Sequence, residues 1–552
     1  MSISYVDFNT VSTVSTQPAL LIAQICLGLL NRHPATPKDS VTQYFSDLKV
    51  TYSTYGDEWL SRVAPNGYNN ITLDEFTSQC FSSDVVAGYI KYDYETQKHL
   101  VPNLVTLAAV KDSILMEDDD DEAVAYGLEL VFDATVEWKD FDAYDATRYM
   151  FEHHISDVKG IAKSNPGIDE QSTDIPKPLN SYMNAALVDF IVKERLFNFF
   201  MQEGCIPGTR EHELTKEIAA WEGFETPTAV WGYDNTYSIK AGSKFEAETD
   251  CVPTLGQVAS SGFPNLSFYS QSPPIEAGDL VSSPYQDIEY DPTKTYVSFL
   301  IGDGDNLRFL VERHLQWFET RKEFCFSDAN WTQYNITEEN ACFPLVWSMS
   351  PKLLEFAPQF IKSWYDDVAT TGNDSFVLPP SGDLYSYPGA FSDADQDVYK
   401  KRMQSHAELM DIGGTVHWEF PLFSTWGTAL SYFEKYAADE EPGITGFHCV
   451  NVPYFEPIIE IFGAHDKKIL NDRVVLFKSE EWRGGDHQSP VDIAKRLNGY
   501  EEGSVKSIYI TSDGGFTFTD LYEMVGMLDM DRVVIVNQEQ LVELALAAEK
   551  TG

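Results

Sequence analysis

The chain has 552 residues, 43% of them apolar and 13% aromatic, enough for several buried cores and longer than an ordinary single domain. Its formal charge of -47 repels phosphate backbones and anionic lipid headgroups, which excludes nucleic acid and membrane surfaces as partners. Seven cysteines, at 26, 80, 205, 251, 325, 342 and 449, are too scattered for a C-x-x-C metal knot; one or two disulfides are expected, and the odd count leaves at least one thiol unpaired.

The first apolar segment, "PALLIAQICLGLLNR", reads as a buried helix ending near Asn31. It is too short and broken to span a bilayer, and no basic region precedes it, so neither a membrane span nor a signal peptide is expected here. "VVAGYIKYD" (85–93), "AYGLELVFDA" (125–134) and "TPTAVWGYD" (227–234) read as strands, and "NAALVDFIVKERLFNFFMQ" (184–202) as one helix. Residues 1–285 are therefore expected to form N-terminal α/β modules, in one or two subdomains. The acidic run Glu117 to Glu122 reads as a solvated loop, because consecutive like charges repel rather than converge on one ion. A stretch rich in serine and proline, 270–294, reads as a linker. Five N-x-S/T sequons, at Asn70, Asn265, Asn330, Asn335 and Asn373, fit an extracellular or secretory protein.

Beyond the linker the pattern becomes regular. Eight strand candidates follow: 295–301, 343–348, 375–379, 414–419, 444–450, 473–478, 506–511 and 532–537. Helical segments such as 350–368 lie between several of them. This alternation predicts an irregular (β/α) TIM-like barrel over 286–552, with a doubly wound sheet as the alternative. Barrel chemistry sits at the C-terminal ends of the strands. Those ends carry Asp303 and Asp305; Trp347 and Ser348; Ser381 and Asp383; His417, Trp418 and Glu419; His448 and Asn451; Glu480, Glu481 and Trp482; Asp513; and Asn537. Such a rim suits carbohydrate: aromatic faces cover sugar C–H surfaces, amides and carboxylates bind hydroxyls, and paired carboxyls serve as acid and as base or nucleophile.

The turn "IGDGDN" (301–306) lacks the lysine of a P-loop and the length of an EF-hand loop. Its Asp303, Asp305 and Asn306 could take one Ca²⁺ or Mg²⁺, since hard ions favour oxygen.

"PSGDLYSYPG" (380–389) resembles the family of glycoside hydrolases named for its G-x-G-Y-x-Y-P motif. Gly382, Tyr385, Tyr387 and Pro388 match, and Leu384 replaces the second glycine. "GLLNR" (28–32), "PNLSFYS" (264–270), "DGDNLRFL" (303–310), "WSMSP" (347–351) and "RVVIVNQEQLVELAL" (532–546) look like family landmarks in family order, over nearly the whole chain. The resemblance implies an N-terminal α/β region joined to an irregular C-terminal barrel, and hydrolysis of a glycosidic bond. Asp303, Asp305, Glu419 and Glu481 are the expected catalytic carboxylates. Asn306, Trp347, Asp383, Tyr385, Tyr387, His417, His448 and Trp482 are the expected substrate contacts. This reading needs no cofactor. Its alternatives are a noncatalytic carbohydrate-binding or surface-coat protein, and a metal-assisted hydrolase using His417 and His448.

Overall fold

The computed structural model describes residues 2–6, 17–32, 41–45, 56–63, 66–117, 121–164, 187–232, 256–258, 265–419, 425–450, 459–484, 488–512 and 515–551. Asn451, Asp513 and the centre of the acidic run, 118–120, lie outside the described residues. Contacts divide the chain into two compact units: Met1–Pro273 with Glu355–Phe360, and Pro274–Leu354 with Ile361–Gly552.

The strands of the first unit are β1 (Ser2–Val6), β2 (Val41–Phe45), β3 (Asn69–Ile71), β4 (Gly88–Lys91), β5 (Ser113–Met116), β6 (Leu130–Asp133), β7 (Gly160–Lys163), β8 (Leu196–Phe199), β9 (Ala229–Gly232) and β10 (Gly256–Val258). They form three parallel sheets, in the orders β2-β1-β3, β5-β4-β6 and β10-β9-β7-β8. The expected first helix forms over Gln17–Arg32. It crosses the helix Val188–Glu194 closely, for a Cβ at Gly28 would lie 2.4 Å from the Asp189 carbonyl oxygen. The long helix expected over 184–202 is corrected: it stops at Arg195, whose φ of 55° caps it, and the chain continues as β8. All four residues of β8 are buried, and a short, wholly buried run carries no periodicity to separate strand from helix. The strand expected over 125–134 shortens to β6, behind a helix Asp121–Ala125.

The second unit contains β11 (Thr295–Ile301), β12 (Leu345–Ser348), β13 (Asp374–Val377), β14 (Gly414–His417), β15 (Gly446–Val450), β16 (Lys467–Leu470), β17 (Val474–Trp482), β18 (Val505–Ile510) and β19 (Val533–Ile535). Seven are parallel neighbours in the order β13-β12-β11-β18-β17-β15-β14. Leu378 nearly closes the ring: its N–H donates to the Gly414 carbonyl (3.0 Å) and its own carbonyl accepts from Val416 N–H (2.8 Å). The barrel is irregular because β19 pairs only with Thr295–Val297, and β16 adds an antiparallel strand to β17.

Leu300, Val346, Val377, Val416, Val450 and Tyr509, one from each of six strands, meet in one cluster with half-buried Trp418. That cluster fixes the inward face, since alternate strand residues share a face. The helix expected over 350–368 is two, Leu353–Phe356 and Pro358–Thr371, because proline disfavours helical geometry at the residue before it. Two disulfides, Cys26–Cys80 and Cys325–Cys342, lie within single units, and Cys205 is also disulfide-bonded. That exceeds the one or two expected. Cys449 is a buried free thiol.

Candidate active site

The turn after β11 is shaped by close approach. A Cβ on Gly302 would lie 2.2 Å from the Tyr509 ring, and one on Gly304 would lie 2.0 Å from the Ser348 carbonyl oxygen. Asp303 between them adopts φ 62°, in the left-handed region. Its side chain is 7% exposed. The Tyr509 hydroxyl donates to Asp303 Oδ1 (2.8 Å) and accepts from the Asp303 N–H (2.9 Å), while Ser512 N–H donates to Oδ2. The Ser512 hydroxyl donates to the Gly302 carbonyl (2.8 Å) and lies 2.9 Å from His314 Nε2. Burial pushes the His314 imidazole down to about 3, against a backbone bond at Gly302. Burial, then the charges of Asp303 and Asp305, push the Tyr509 phenol well above its ordinary value. The hydroxyl therefore keeps its proton and acts as a donor. Asp305 and Asn306 are partly exposed on the same turn.

Glu481 lies within β17 rather than after it. Its register partner is Tyr509, whose own partner on β11 is Leu300, so Glu481 shares the inward face. Its Oε1 accepts from Thr511 Oγ1 (2.7 Å) and pairs with Arg483 Nε (2.6 Å). Trp418 stands edge-on to Tyr509, with centroids 6.1 Å apart, and to Tyr385 at 5.5 Å. Tyr385 is partly exposed, and its hydroxyl lies 3.2 Å from that of fully buried Tyr387. Asp303, Tyr509, Glu481, Trp418 and Tyr385 thus gather at the C-terminal end of the barrel.

The carboxylates expected at the strand ends divide. Asp383 turns away, into the helix Asp393–Met410, where it meets Arg402 Nε (2.6 Å), His406 Nδ1 (3.0 Å) and, from the loop after β12, Lys352 Nζ (3.4 Å). Burial opposes its charge, but Lys352 and Arg402 win and hold the carboxyl below its ordinary range. Glu419 is 1% exposed. Its Oε1 accepts from Gly389 N–H (2.8 Å) and lies 2.7 Å from His417 Nε2, while its Oε2 accepts from Thr425 Oγ1 (2.5 Å). Those bonds fasten the end of the motif loop to β14. Leu384, where the family motif has glycine, is buried, and its N–H donates to the Tyr399 hydroxyl (3.1 Å).

The remaining expected contacts sit elsewhere. Trp347 is buried among Phe318, Trp364 and Phe518. Trp482 is buried, with its Nε1–H donating to the Gln488 carbonyl (3.0 Å). His417 faces the helix Trp426–Ala437 through Phe433, whereas His448 lies inside the barrel, 2.8 Å from Ser507 Oγ. The two histidines thus serve different layers, and burial pushes His448 down to about 3. Among the described residues no three His, Cys, Asp or Glu side chains converge to hold a metal ion. Tyr509, Thr511 and Ser512 were not anticipated as site residues. The alternation Ser507, Tyr509, Thr511 along β18 and the residue after it was the available signal.

A nearly closed ring of parallel strands alternating with helices defines a TIM-like barrel. Residues 293–439 match the family described as "GxGYxYP putative glycoside hydrolase C-terminal domain". A solved structure described as a putative hydrolase from Bacteroides thetaiotaomicron VPI-5482 is similar over 99% of this chain and 94% of its own, at 16% identity and a TM-score of 0.70. One described as a putative polysaccharide deacetylase from Mycobacterium smegmatis covers 49% of this chain and 96% of its own, at 14% identity, with a TM-score of only 0.30. No curated protein matches the chain. The fold shared with the first of these solved structures extends over nearly the whole chain.

Proposed function

We propose that this protein hydrolyses a glycosidic bond at the barrel mouth, with Asp305 and Glu481 as the reacting carboxyls. The observation that carries this reading is the placement of the Asp303–Asp305 turn and Glu481 on either side of Tyr509, beside Trp418 and Tyr385. Asp303 already accepts from Tyr509 and Ser512, so it serves to position the turn. Asp305 is the more exposed carboxyl there. One carboxyl donates a proton to the leaving oxygen and the other activates water. β11 and β17 flank β18, which puts the two backbones about 9.6 Å apart at about 4.8 Å per strand. With a water between them the pair would act by inversion, for which carboxyls stand about 6.5–9.5 Å apart. The Trp418 and Tyr385 rings supply an apolar wall for a sugar ring.

Secretion is part of the same proposal. Disulfides persist in oxidising compartments, and Asn70, Asn335 and Asn373 are exposed sequon sites, whereas Asn265 is buried at 3% exposure. The test is a panel of oligosaccharides followed by proton NMR of the first product. A product of inverted anomeric configuration is expected. A retained configuration overturns the proposed pairing, and binding without turnover replaces hydrolysis with noncatalytic carbohydrate binding.

A further inference from the structure

A cavity of about 740 Å³ lies within the barrel unit, at the N-terminal ends of its strands. Gly413, which immediately precedes β14, and Ser375, near the start of β13, place it at the N-terminal ends of those strands. Its lining includes Tyr285, Asp287, Ser375, Glu408, Asp411 and Glu539, and no lysine or arginine. Four carboxylates alone would say little in a chain of charge -47.

Two further observations point to a ligand. Ser375 is 4% exposed, lines the cavity, and its hydroxyl has no hydrogen-bond partner among the described residues. Glu539 Oε2 is likewise buried without a partner among them. A buried polar atom left unpaired is unfavourable, and a donor in the cavity would relieve it.

The donor's chemistry follows from the lining. The carboxylates surround the cavity instead of converging, and among the described residues no three-ligand metal group exists, which disfavours one compact ion. Several separated positive charges on a flexible chain would match carboxylates spaced around such a volume. Each ammonium offers three donors to carboxylate and hydroxyl oxygens. The Tyr285 ring, 40% exposed, adds an aromatic face of the kind that attracts cations. We propose that this cavity binds an aliphatic polyamine, with one ammonium seated between Glu539 and the Ser375 hydroxyl. Burial, with Asp411 and Glu543 nearby, raises the Glu539 carboxyl to about 7, and a bound ammonium would draw it back toward its charged form.

The test is isothermal titration of the full chain with spermidine at 0.15 M salt, beside pentane-1,5-diol as an uncharged chain. Saturable binding of spermidine and none of the diol is expected. E539Q should weaken binding at least tenfold and S375A severalfold, with circular dichroism unchanged. E523Q, on the exposed face of the helix Phe518–Val525, should bind as the parent does. Absence of saturable binding, E539Q and S375A both at parental affinity, or equal weakening by E523Q would each overturn the site.

Discussion

Gly304 shows how one residue type sets the mouth of the barrel. Its N–H donates to Ser348 Oγ (2.9 Å), and there is no room for a Cβ against the Ser348 carbonyl. The obstruction is backbone, so it cannot rotate aside. G304A is expected to lose about 1–3 kcal/mol, the usual cost of overpacking, and to displace Asp303 from Tyr509. Urea denaturation measures the first; parental stability in G304A would contradict the close approach. By contrast, a Cβ at Gly382 would meet the flexible Met403 side chain, although its φ of 103° still favours glycine. The glycines and aspartates of "IGDGDN" were legible as a turn at a strand end. The direction of each carboxylate was not, because Asp383 and Glu419 are turned away from the mouth by partners on other segments: Arg402, His406, Gly389 and Thr425.

Elements with a clear period were legible, and those without one were not. β11 forms over the residues expected of it, since seven consecutive buried apolar or small residues suit a parallel strand covered on both faces. β17 ran on through Glu480, Glu481 and Trp482, because polar residues at a barrel rim look like the end of a strand while still pairing with β18. The helix Leu315–Phe326 is fastened to the start of β13 by Arg321, which is fully buried with Asp374. The guanidinium donates to both Asp374 oxygens (3.2 and 3.3 Å) and to the Tyr522 hydroxyl (2.8 Å). Burial works against that charge, yet Asp374 and Tyr522 raise its pKa above the ordinary value. Removing one partner of a buried pair costs about 3–5 kcal/mol, because the other charge stays buried. D374A should fall in that range by chemical denaturation. A loss below about 1 kcal/mol would show that the pair does not hold the helix.

Across the whole molecule, the buried imidazoles of His314 and His448, both pushed down to about 3, tie stability to pH. Between about pH 6.5 and 3 the unfolded chain takes protons at these groups that the folded chain refuses, so each lowers stability as pH falls through that window. Glu539 and Asp189, raised to about 7 and about 6, act oppositely: the folded chain holds their protons more tightly, so they favour the fold as pH falls from there toward 4. The balance is best read as a difference between variants. H448Q should reduce the acid-side slope of stability by up to about 1.4 kcal/mol per pH unit, one proton's worth. An unchanged slope would mean that His448 protonates readily in the folded state.

The central claim, that the chemistry resides at the barrel mouth and not in the buried carboxylates of the motif loop, is tested most directly by turnover of D305N and E481Q on an oligosaccharide that the parent cleaves. Both variants should stay folded and lose about 10²–10⁴ in kcat, the usual share of general acid–base assistance. Near-parental rates in both would contradict the assignment.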